Sequence, residues 1–111
     1  MRRVAELGSF GKKKMKPVGR TYTVSYDMQD AQWKKLAAVY ARMPEFIGFD
    51  KEGVPAWFGR KEKEKHLLAS VEPSGLRVDG LLDEDDWVRW DARFREQASL
   101  ELGFEVGDAD Q

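Results

Sequence analysis

An α+β fold, with an antiparallel sheet of about five strands and two amphipathic helices on one face, is predicted by three observations on this sequence. Two segments repeat apolar residues at the helical period: Trp33, Leu36, Ala37 and Tyr40, then Trp87, Trp90, Phe94, Ala98 and Leu102. Between them, short β-forming runs are separated by turns that contain Gly or Pro. The 111 residues are 41% apolar, enough for one core and too few for two. The element order is β-α-β-β-β-β-α, with room for a short terminal strand, and it sets both helices against one face of the sheet.

Residues 1–20 differ from the rest, with seven basic residues, one acidic, three Gly and a Pro. They read as a basic mobile arm or an added extension, and residues 21–111 as a single domain. The run 21–26, TYTVSY, alternates β-formers and reads as the first strand. Asp27 follows as an expected helix N-cap with Asp30 three residues on, a short-armed relative of the capping box. Pro44 disfavours a helical Met43 and ends the first helix. Phe46–Phe49 and Val54–Phe58 flank the turn 50–53, where Gly53 suits positive φ. Pro55 marks an edge start or a bulge. RKEKEK at 60–65 makes a charged hairpin tip. His66–Val71 and Leu76–Leu82 form a pair around Glu72-Pro73-Ser74-Gly75, a turn with Pro at its second position and Gly at its fourth. Asp83 caps the second helix, Glu84, Asp85 and Asp86 favour the positive end of its dipole, and Gly103 stops it. Phe104–Val106 supply the optional last strand.

Charge is the strongest functional signal. Residues 1–71 carry fifteen Lys/Arg against eight Asp/Glu, and residues 72–111 carry four against twelve. Without residues 1–14 the net charge falls from −1 to −5, so the body is acidic. There is no Cys and one His, which removes disulfides and thiolate metal sites and fits a reducing compartment. No apolar run approaches the roughly 18 residues that span a bilayer, and the N-terminus lacks the apolar stretch of a secretory signal. A cytoplasmic location is expected.

Each constellation that could carry chemistry has a simpler reading. The cluster Asp83-Glu84-Asp85-Asp86 matches no EF-hand spacing, and capping explains all four acids, although they also suit docking of a basic partner. His66 lacks the companions of a zinc site or a nucleophile triad. Ser70, Ser74 and Ser99 have no nucleophile-elbow context, and no GxGxxG or Walker pattern is present. No catalytic residue, cofactor or metal is therefore expected. Lys12, Lys13, Lys14 and Lys16, with Arg2, Arg3 and Arg20, suit phosphate, but an acidic body repels it and no nucleic-acid motif accompanies them. Alternation in Val54–Phe58 puts Trp57 and Phe58 on opposite sheet faces, so one ring points outward beside Arg60 as a contact candidate.

Three stretches carry a family likeness: the Trp33 helix after TYTVSYD, LLASVEPSGLRVDG (67–80) followed by the Trp87/Trp90 helix, and the LGFEVGDAD ending (102–110). Together they resemble small α+β immunity proteins of bacterial contact-dependent inhibition and related polymorphic toxin systems. That resemblance implies a cytoplasmic protein that binds and neutralises one cognate toxin domain, often a nuclease, with no transferable catalytic site. An acidic body suits the basic groove of such a toxin. The expected contact residues are Asp79, Asp83, Glu84, Asp85, Asp86 and Asp91, with Trp57 and Arg60. Monomer or weak homodimer is expected. A self-associating structural or adaptor subunit and a small enzyme remain as alternatives.

Overall fold

The computed structural model describes residues 14–110. The expected basic arm lies outside the described residues as far as Lys13. Its last part does not stay an arm: Lys16–Tyr22 is strand β1. Every residue of β1 pairs antiparallel with β5 (Gly75–Leu82), from Lys16 opposite Leu82 to Tyr22 opposite Leu76. Pro17 is tolerated because β1 lies at the end of the sheet order. The strand ends at Tyr22, four residues before its expected end. β5 begins at Gly75, after the Pro73-Ser74 turn, so Thr23–Tyr26 have no strand to pair with.

The C-terminal segment meets β1 there instead. The Thr23 amide donates to the Gly107 carbonyl at 2.9 Å, and the Ala109 amide donates to the Thr21 carbonyl at 2.8 Å. One isolated bridge, Tyr22 with Asp108, replaces the strand expected at Phe104–Val106.

Helix α1 spans Asp30–Arg42, with Gln29 at the N-cap and no side-chain cap bond. Asp27 does not cap it; its carboxylate accepts the Ser25 hydroxyl inside the preceding turn. Met43 is extended before Pro44, so the helix stops as expected. Strands β2 (Phe46–Phe49), β3 (Pro55–Trp57) and β4 (His66–Glu72) complete the sheet. The order β1-β5-β4-β3-β2 is antiparallel throughout. Helix α2 spans Glu84–Leu102, capped by Asp83 and closed by left-handed Gly103. At Gly80 a Cβ would overlap the His66 carbonyl oxygen, so the β4–β5 ladder requires glycine there.

Both helices cover the face that carries Tyr22, Leu67, Leu76, Val78 and Trp57, all fully buried. A chain of rings joins the layers. Tyr22 meets Phe94 at 4.8 Å, Phe94 stacks on Trp90 at 5.1 Å, Trp90 meets Trp57 at 4.9 Å and Trp57 meets Tyr40 at 5.5 Å. Rings at these separations add to their area burial. The expected layer arrangement is therefore the observed one.

The β2–β3 turn rests on one carboxylate. Asp50 accepts the amides of Glu52 and Val54 at 2.8 and 2.9 Å, and these bonds, with Val54 the largest cause, hold its pKa below the usual carboxylate range. A depressed carboxylate stabilises the fold above its unfolded pKa and loses that contribution as pH falls through the folded value. The amide signals of Glu52 and Val54 are expected to titrate with a midpoint below about 3.9. A midpoint at or above it would remove Asp50 from the turn's support.

Candidate functional site

The acids at the start of α2 are largely used by the fold. The Asp83 carboxylate accepts the Asp86 amide at 2.9 Å. Asp86 pairs with Lys65 at 2.5 Å and with Arg89 at 2.7 Å, and the Lys65 bond chiefly holds its pKa below the usual range. Glu84 pairs with Lys16. Asp85 is exposed, and so is Asp79, which pairs with Arg77 at 3.2 Å. The patch is thus interleaved with cations that β1, the hairpin tip and α2 itself supply.

Asp91, expected as an outlying contact acid, is only 9% exposed. It accepts the Tyr22 hydroxyl at 2.7 Å and pairs with Arg20 at 2.8 Å and Arg95 at 3.1 Å. Arg20 also pairs with Asp108 at 3.1 Å and lies 5.7 Å from the Trp87 ring centre. This network ties β1 to α2 and the C-terminal segment. Burial first, then the Asp91 bond, pushes the Tyr22 hydroxyl well above its ordinary pKa. Asp91 and Arg20 are internal linkers rather than free surface charges.

Trp57 is likewise internal. It is fully buried, and its Nε1–H donates to the Tyr40 carbonyl at 3.0 Å. Strict alternation fails one residue later, because β3 ends at Trp57 and Phe58 turns left-handed with φ 71°. The half-buried Phe58 ring lies 4.9 Å from the Lys65 ammonium. Arg60 donates to the Gly48 and Val54 carbonyls at 2.8 and 3.3 Å, bracing the β2–β3 hairpin. His66 is buried, and its Nδ1–H donates to the Glu64 carbonyl at 2.7 Å. Among the described residues, no group of three or more His, Cys, Asp or Glu could hold a metal ion. No helix among them is long and apolar enough to cross a membrane.

The geometry instead opens a groove of about 670 Å³ between the α1–β2 loop and one side of α2. Pro44, Glu45 and Phe58 line it from the loops. Asp86, Arg89, Trp90, Arg93 and Glu96 line it from α2, where spacings of three and four residues keep them on one stripe. Glu45 and Phe58 are the two described non-glycine residues at positive φ, 67° and 71°, and the Phe58 amide donates to the Glu45 carbonyl at 2.8 Å. Each such conformation costs about 1 kcal/mol and persists only where the surroundings impose it.

Of the expected contact residues, only Asp86 lines this groove. Glu45, Arg93 and Glu96 were missed because nothing in their local pattern separates them from other surface charges. The single usable hint was Pro44, which ends α1 and throws Glu45 into a loop. Comparison with family models, with curated proteins and with solved structures finds no match for this chain.

Proposed function

We propose that this chain is a protein-binding module of the immunity type, which occludes one cognate bacterial toxin domain sterically and electrostatically. The observation that carries this reading is the open groove, whose Glu45 and Glu96 form no ion pair with any described residue. Charge that the fold does not use internally remains available to a partner. The acidic body adds long-range attraction for a basic toxin, which raises the association rate more than the final affinity. Under this reading the protein works in the cytoplasm, where it shields the cell from the toxin.

The test is capture from the source bacterium with the full chain as bait, washed at low and high salt, followed by assay of the captured protein's activity. The expected result is one stoichiometric basic partner, weakened by salt, whose activity falls when this chain is added. Charge reversal at Asp79 and Asp85 spares the Asp83 cap and the Asp86 ion pairs, and should slow association at low salt. An unchanged rate would remove both acids from the steering field.

One observation favours self-association as a second reading. Strand β2 ends the sheet order and leaves Ile47 52% and Phe49 46% exposed. Sedimentation that shifts to a dimer with concentration, and does not respond to salt, would favour it. A monomer at all concentrations would reject it.

A further inference from the structure

We propose that the groove receives an arginine or lysine side chain of a partner polypeptide, held between the carboxylates of Glu45 and Glu96. This deepens the binding reading above and rests on it. The groove's charges sort by what the fold already uses. Asp86 already pairs with Lys65 and Arg89. Among the described residues, Glu45, Glu96 and Arg93 have no ion-pair partner. The lining side chains hold three carboxylates against two guanidiniums, and two of those carboxylates, Glu45 and Glu96, are left to accept a cation. The carboxylates come from different walls: Glu45 from the α1–β2 loop and Glu96 from α2.

One further feature suits a polypeptide cation. The Phe58 ring and Pro44 give the aliphatic part of such a side chain apolar contact. Trp90, which lines the groove and is 2% exposed, carries the single buried side-chain polar atom without a hydrogen-bond partner among the described residues, its Nε1–H. That N–H is closed to solvent, so it serves as a reporter of the groove wall rather than as a donor to a partner. The left-handed backbone at Glu45 adds a consistent sign, since Gly suits that conformation better and a carboxylate there serves no described internal bond.

The experiment titrates the full-length protein with an end-capped tripeptide of arginine between two glycines, and with its glutamate counterpart, following the assigned indole N–H of Trp90 by NMR. The arginine peptide is expected to shift that signal saturably, and the glutamate peptide to leave it in place. Glu45→Gln combined with Glu96→Gln should weaken the arginine peptide by about fivefold, as two exposed ion pairs allow. Arg93→Gln should tighten it. Glu45→Gly should keep or raise the melting temperature while still weakening the peptide, which separates loss of charge from loss of fold. No saturable shift, equal response to both peptides, or an unchanged affinity in the double variant would each overturn the proposal. The peptides need no toxin, so failure here leaves partner capture standing, and failure of capture leaves a positive titration standing.

Discussion

Asp91→Ala is expected to lower the unfolding free energy by about 3 kcal/mol, measured by urea denaturation, because it breaks a largely buried charge network from its centre. Asp91 is the shared acceptor of the Tyr22 hydroxyl and of Arg20 and Arg95. Its removal leaves the Tyr22 hydroxyl without its acceptor in the core, and Arg20 with only Asp108. The cost is the desolvation of groups left unpaired, which exceeds the net worth of the bonds themselves. Asp91→Asn retains an acceptor for Tyr22 and loses the charge, so its effect should be smaller. A loss below about 1 kcal/mol for the alanine variant would mean that the network behaves as a screened surface ion pair. The same substitution should raise hydrogen exchange in β1 before β4, since only β1 depends on the network for its hold on α2.

Trp57→Ala is expected to cost about 4 kcal/mol, in the range for truncating a large buried aromatic ring. The ring is fully buried, lies 4.9 Å from Trp90 and 5.5 Å from Tyr40, and donates to the Tyr40 carbonyl. Its loss opens a cavity between both helices and the sheet. Trp57→Phe keeps most of the ring contact and should cost less, with the Tyr40 carbonyl losing its donor. Partner binding by Trp57→Ala should fall only to the extent that the folded fraction falls. Lost binding at an unchanged folded fraction would return Trp57 to the contact surface, where the alternation rule put one ring of this pair.

Local rules read the architecture well where the deciding interactions are local. Apolar spacing marked both helices, Pro44 marked the end of α1, Asp83 capped α2 and Gly103 closed it. The 72–75 turn followed from Pro73 and Gly75, and it joins the two strands expected to pair around it. The same rules failed where a distant partner decides. Asp27 satisfies the preference for a cap, yet the helix begins three residues later and Asp27 bonds Ser25. Lys16–Arg20 look like a basic tail by composition, yet β5 offers an unpaired edge and Glu84, Asp91 and Asp108 neutralise the cations.

The candidate site was less legible than the fold. Charge density drew the reading to the start of α2, where the acids face Lys16 and Lys65 across the fold and Arg89 one turn along the helix. The groove residues come from a loop after α1, the residue after β3 and a stripe of α2. No window of sequence contains them together.

The sequence by itself determined that this is an α+β chain with two amphipathic helices, the second capped by Asp83, tight hairpin turns and an acidic body. Those properties depend on periodicity, turn chemistry and composition, which act within a few residues or sum over all of them. Only the tertiary structure decided which charges stay free. Whether an acid steers a partner or anchors a strand depends on which cation the fold brings beside it. Asp91 and Glu96 lie five positions apart on one helix, yet one is closed in by Arg20, Tyr22 and Arg95 while the other lines an open groove.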